Sequence, residues 1–395
     1  MRLLKNDYIT SPYQAGQWIL EVSGAHFIIN DDTKKLIDLL STYQNYKEAS
    51  ERFNSDFDNT LNEKEFVDFI EKIFADIPIF PHSAEIKQSK SFIKFQKKIL
   101  PPYIAGKTAS FIIFLFNKKL FWWCFSLLSL LGIFILLNTT LSSLKNLSPG
   151  WILIFYTATL FLHELGHIAS CKRFTGRNGE IGFGIYFIFP VLYSNISMVW
   201  HASKQERFIT NLAGIYMQLW CMLFFYGIFL FTKNESSLYL AYFITLVSFI
   251  QIFPFIRSDG YWILSDLTST SNLLEKSGIE VKSFIKNPVL WTKEKKEKKA
   301  FLLCYGLFNN FIFSYFIITQ IIYHWKEIIH FPIDILNTIK QILAFQFSEI
   351  TFQESYITII IFYMILFNKI NDLFKKYSKQ PFIGIKKHPI KKMSE

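Results

Sequence analysis

The run from Trp151 to about Ala169 constrains this chain more than any other stretch, because it is apolar enough to span a bilayer and yet carries His163, Glu164 and His167 near one end. A charged group at membrane depth costs about 2.5 to 3.5 kcal/mol on insertion scales, so three titratable groups together need a shared reason. On a helix, residues four apart lie on one face, which lets His163 and His167 put two ring nitrogens on one metal ion. Glu164 can then reach a water at that metal as general base. A His-Glu-x-x-His string arises by chance in on the order of one in a hundred such sequences. Its apolar setting is what separates it from interfacial histidines bonded to backbone carbonyls, with a glutamate snorkelling to headgroups.

The spacing points to zinc, and a catalytic zinc typically takes three protein ligands and keeps a fourth position for water. The candidate third ligand is Asp259, in Phe253-Pro-Phe-Ile-Arg-Ser-Asp259-Gly260 at the end of a later apolar run. Pro254 can break that helix, and Gly260 lets the backbone turn close to the metal. The alternative is an interfacial pair between Asp259 and Arg257.

Apolar runs recur at 121–138, 151–169, 208–231, 238–256 and 300–323, with a shorter one at 356–367. The expected fold class is therefore a mainly α membrane protein with about six transmembrane helices, plus a membrane-associated hairpin and a small N-terminal α+β domain. The segment 109–116 is too short to span and belongs at the interface. With 51% hydrophobic and 18% aromatic residues and a mean hydropathy of +0.24, the chain is too apolar for an ordinary soluble protein and too mixed to be all membrane. The net charge of +11 would suit nucleic acid, but the lysines and arginines cluster beside the apolar runs, as bilayer orientation requires. No nucleic-acid partner is expected. Lys172, Arg173, Arg177, Lys204 and Arg207 follow the second span, and further basic residues follow the fourth and sixth. By the positive-inside rule both termini and the histidine end of the second span face the cytoplasm of a cytoplasmic (inner) membrane. The 4 cysteines show no metal-binding spacing and read as small buried hydrophobes.

Residues 1–80 have the balance of a small separate domain. Trp18 to Val22 and His26 to Asn30, joined at Ser23-Gly24, predict a β-hairpin. Asn30-Asp31-Asp32-Thr33 then starts a helix, a second runs from about Tyr46 to Phe53, and a third from about Asn62 to Ala75. This order fits a winged-helix-like unit. Residues 81–117 read as a basic linker and interfacial segment, 118–275 as the metal-bearing core, 276–299 as a cytoplasmic basic loop, and 300–395 as further spans with a basic tail. Residues 324–354, with Ile335, Ile339, Ile342 and Leu343 at helical spacing, predict an amphipathic surface helix. His201 reads as a loop cap, with a proton carrier near the metal as the alternative.

The zinc helix, the later Asp259-Gly260, and Asn211-Leu-Ala213-Gly214 opening the third span together resemble the site-2-protease-type intramembrane zinc metalloproteases. The likeness is closest to the branch named for peptide zinc metalloproteases and covers about residues 120 to 275. It implies that His163, His167 and Asp259 ligate zinc, that Glu164 activates water, and that Asn211 and Gly260 help to position substrate. The aromatic, glycine-punctuated stretch from Gly182 to Asn195 resembles the family's membrane-embedded hairpin, which pairs with an extended substrate and brings in Tyr193 and Asn195. The branch commonly carries an aspartate where Asn195 stands, before a tryptophan such as Trp200. The N-terminal pattern resembles the PqqD-like leader-binding domains, in which a precursor's leader peptide adds a strand to the sheet edge. The expected partners are thus a precursor or leader peptide, the lipid bilayer and a peptide exporter. Cleavage of a transmembrane regulator such as an anti-sigma factor is the first alternative. A non-proteolytic binding, immunity or export partner is the second.

Overall fold

The computed structural model describes residues 3–81, 83, 93–139, 149–186, 189–254, 257–293, 297–343 and parts of 355–370. The linker residues Lys87 and Lys90, the loop around Lys145 and the basic C-terminal tail lie outside the described residues. The chain divides into two units, Met1–Ser271 and Asn272–Glu395.

The first unit begins with a three-stranded antiparallel sheet in the order β1-β2-β3: β1 Tyr8–Gln14, β2 Gln17–Val22 and β3 Ala25–Asn30. The expected hairpin is β2–β3. Ser23 and Gly24 both sit at positive φ, as a two-residue turn between right-twisted strands demands. β1 was not foreseen, because Pro12 and the polar residues around it break the alternation, and the ladder shifts register between Pro12 and Gln14. Three helices follow: α1 Asp31–Thr42, α2 Tyr46–Phe57 and α3 Glu63–Ile73. Their starts are set by side-chain caps from Asn30, Asn45 and Asn62, the last in a reciprocal capping box with Glu65. Leu20, Ile37, Leu40, Phe53, Phe66 and Ile70 form a core belonging to this domain.

Residues 93–100, expected as linker, are instead a strand. β4 (Ile93–Leu100) pairs antiparallel with β5 (Glu180–Tyr186), which pairs with β6 (Phe189–Asn195). The predicted hairpin therefore exists as the inner part of a second three-stranded sheet, with β6 at one edge. The lysines that made the segment look like a solvated linker lie along the sheet's other edge, where lysine is an ordinary residue.

The helical body is α4 (Pro102–Ser110), α5 (Lys118–Asn138), α6 (Pro149–Thr175), α7 (Lys204–Thr232), α8 (Glu235–Ile250) and α9 (Asp259–Leu267). α7 is central and touches α5, α6, α8 and α9. Small residues allow close approach without side chains to separate the backbones. A Cβ on Gly132 of α5 would meet Thr245 of α8 at 2.8 Å, and one on Gly166 of α6 would meet the Ala213 carbonyl of α7 at 2.6 Å. The fourth apolar run stops as a helix at Ile250, four residues before Pro254, so the proline follows the break.

The second unit holds α10 (Leu273–Lys286), α11 (Pro288–Lys293) and α12 (Glu297–Leu343). α12 merges the predicted fifth span and the predicted surface helix, with a kink at His324 (φ −124°, ψ 23°). Among the described residues, three helical segments are long and apolar enough to cross a membrane: Lys118–Asn138, Lys204–Thr232 and Glu297–Thr338.

Candidate metal centre

α6 carries His163 and His167 on the face turned to α7, and both rings are buried, at 7% and 6% exposure. Their Nε2 atoms stand 3.2 Å apart. Asp259, the first residue of α9, completes a triangle: Oδ2 lies 3.4 Å from His163 Nε2 and Oδ1 lies 3.5 Å from His167 Nε2. Ligands about 2.0–2.1 Å from a tetrahedral zinc are separated by roughly 3.3–3.4 Å. The triangle therefore has the dimensions of one face of such a site.

The surroundings test whether a cation belongs there. His167 Nδ1 donates to the Thr210 carbonyl at 2.7 Å, which leaves Nε2 as a lone pair aimed at the other imidazole. Two ring nitrogens and a carboxylate held this close, with Asp259 Oδ2 buried and without a hydrogen bond among the described residues, are arranged for a shared cation. Two imidazoles and one carboxylate suit zinc.

Asp259 is brought in by a tight turn after α8. The Gly260 N–H donates to the Gln251 carbonyl at 2.9 Å, and Ser258 Oγ donates to the Phe253 carbonyl at 2.9 Å. A Cβ on Gly260 would strike the Ile252 carbonyl, so glycine is required for this approach. Gly260 thus sets the backbone of the ligand and is not among the residues that line the cavity.

That cavity has a volume of about 710 Å³ and opens beside the triangle. Glu164, His167 and Asp259 face it, with Tyr193 and Asn195 of β6 and Asn211 of α7. Ser194 of β6 lines the same cavity as Glu164. Tyr193 lies across from Gly182, where a Cβ would come within 2.7 Å of the ring carbon Cε1. Asn195 donates to Glu180 at 3.3 Å and accepts from Ser197 at 2.8 Å. An aspartate at 195 would face Glu180 with like charge, so the amide here agrees with its neighbour. Asn211 donates one amide hydrogen to Asp266 Oδ2 at 2.9 Å.

Three features escaped the sequence. Arg207, counted there as an orientation charge, is 1% exposed; it donates to Asp266 Oδ1 at 2.9 Å and to the Ala202 carbonyl at 3.0 Å, with Tyr13 stacked 4.7 Å from its guanidinium carbon. Asp266 thereby holds both Arg207 and Asn211. Gly214 makes room for the His163 ring, whose Nδ1 would lie 2.6 Å from a Cβ placed there. His201 does not cap its own loop; its ring reaches the N-terminal sheet, with Nδ1 hydrogen-bonded to Ser11 Oγ at 2.7 Å.

Fold and site define a mostly helical, membrane-associated protein with a buried His/His/Asp cluster that could hold a metal ion. In sequence the chain is 28% identical over 130 residues to the Bacillus subtilis (strain 168) protein named "Putative peptide zinc metalloprotease protein YydH", a stretch covering 31% of this chain and 52% of that protein. The chain spans about half the length of that curated relative. The likeness supports zinc as the cofactor. No family model matches the chain, and no solved structure matches it.

Proposed function

We propose that this chain is an intramembrane zinc endopeptidase of the site-2-protease type. The observation that carries the proposal is the His163–His167–Asp259 triangle, with Glu164 facing the same cavity beside it. Zinc, when bound by these three residues, supplies a Lewis acid that polarises a peptide carbonyl and acidifies water. The Glu164 carboxylate, facing the cavity, takes a proton from water and returns it to the leaving nitrogen. β4 occupies one edge of the second sheet and leaves β6, which lines the cavity, as the edge an extended substrate can join. Asn211, with one amide hydrogen given to Asp266, has a second for a substrate carbonyl.

The proposed substrate is a ribosomally made precursor peptide. Its leader would add to the N-terminal sheet in the PqqD-like manner, at one of the edge strands β1 and β3. The proposed setting is a bacterial inner membrane, crossed about six times with both termini cytoplasmic, and with a peptide exporter as partner. Glu164→Gln should retain zinc, because Glu164 is not one of the three ligands, and should lower precursor cleavage by about 10²- to 10⁴-fold. Metal content and mass-spectrometric product analysis of the full chain in detergent test this, and a Glu164→Gln protein that cuts at the wild-type rate overturns the mechanism.

A further inference from the structure

A second cluster of metal-ligating side chains lies outside the catalytic cavity. Glu21 of β2 and His26 of β3 are directly opposed across the N-terminal hairpin, so their side chains share one face of that sheet. His201 reaches the same point from the 3₁₀ turn Ser197–His201, which connects β6 to α7. Glu21 Oε2 stands 3.2 Å from His201 Nε2 and 3.9 Å from His26 Nε2, and one donor atom from each residue lies within 4.8 Å of the others.

These groups are withdrawn from water, at 17%, 15% and 10% side-chain exposure for Glu21, His26 and His201. Glu21 Oε2, His26 Nε2 and His201 Nε2 are buried, and none makes a hydrogen bond among the described residues. Leaving such atoms unsatisfied costs about 1–3 kcal/mol each, and one cation would satisfy all three. The His201 ring is already oriented by its Nδ1 bond to Ser11 Oγ, the kind of outer contact that fixes a ligating imidazole.

We propose that Glu21, His26 and His201 form a second divalent transition-metal site, of the zinc class, that clamps the N-terminal domain onto the segment joining β6 to α7. The clamp has a consequence for the catalytic centre, because that segment runs directly into Arg207, Asn211 and Gly214. A metal there ties the sheet proposed to hold the leader to the helix that supports His163 and His167. The two edges of 3.2 and 3.9 Å bracket the roughly 3.3 Å expected of zinc ligands, and the fourth position is left to water.

Metal content of the purified full chain, equilibrated with zinc alone and analysed by mass spectrometry, tests the proposal. The expected result is about two zinc ions per wild-type chain, with loss of about one in Glu21→Gln, His26→Gln or His201→Gln and, separately, of about one in His163→Ala. To guard against misfolding of any one variant, cobalt(II) loaded into His163→Ala should give visible absorption that His201→Gln abolishes. A wild-type chain whose zinc is lost entirely with His163→Ala, or whose content is unchanged by all three glutamine variants, overturns the second site. Zinc that survives His163→Ala in full and disappears with His26→Gln would instead support the clamp and remove the catalytic reading.

Discussion

Gly214→Ala is the sharpest test of how the proposed catalytic centre is built. In a solvent-facing helix position the change should be favourable by about 1 kcal/mol, because alanine is the better helix former. Here the sign should reverse. The added Cβ would lie 2.6 Å from His163 Nδ1 and closer still to Cε1 and Nε2, whereas ordinary contact begins near 3.4 Å. The ring must move by about 1 Å, or α6 must separate from α7 and open the close contact of Gly166 with the Ala213 carbonyl. Ligand distances in a metal site tolerate only about ±0.2 Å, and a 1 Å misplacement costs about 10²-fold in rate. Overpacking adds about 1–3 kcal/mol of destabilisation, more than the helix preference returns. We therefore expect Gly214→Ala to bind zinc roughly 10²-fold more weakly, equal to about 2.7 kcal/mol, with cleavage falling at least as far. Competition against a chromophoric chelator measures the affinity. Gly227→Ala is the control, since it lies in the same helix and its Cβ would meet nothing within 4 Å. It should be neutral or slightly stabilising. Wild-type zinc affinity and cleavage in Gly214→Ala would refute the claim that the empty space over Gly214 seats His163.

Two further outcomes follow from the same contacts. Asp266→Ala leaves Arg207 charged, 1% exposed and without its carboxylate, which should cost about 3–5 kcal/mol, while Asp266→Asn should lose less; thermal unfolding in detergent ranks them, and an Asp266→Ala protein that melts with the wild type refutes the buried pair. A precursor stripped of its leader should lose about tenfold in kcat/KM for every 1.4 kcal/mol of leader binding, carried by KM with kcat preserved; equal kinetics for both peptides would favour a transmembrane regulator as the client.

The histidine pair was legible because its signal is local: two histidines four apart are neighbours on any helix, whatever surrounds them. Asp259 was legible through the glycine beside it, although the turn that delivers it comes from the end of α8 at Ile250, with Pro254 inside the connecting segment. Gly214, Arg207 and Asp266 were not assigned their roles, because those roles exist only where helices meet. Gly214 matters through a ring 51 positions earlier, and Arg207 through a carboxylate 59 positions later. No periodicity reports such pairs. The strand β4 was hidden for another reason, since its lysines and its exposure are as ordinary at a sheet edge as in a linker.

That last point changes how the basic residues should be read. Of those that set the expected orientation, Arg207 is paired with Asp266, and Lys172 donates to the Gly106 carbonyl and Ser110 at 2.8 Å each. Lys118, at the start of α5, pairs with Glu206 at 2.9 Å, and Lys98 of β4 pairs with Glu180 at 2.8 Å. Arg207 and Lys172 keep the positions along the chain from which the expected orientation was read. Their internal partners give them a second role. Lys98 ties β4 to the hairpin that lines the cavity, and Lys172 ties α4 to the helix that carries the histidines. Two residues of a charge count taken for bilayer orientation, Lys172 and Arg207, therefore also hold together the helices around the His/His/Asp cluster.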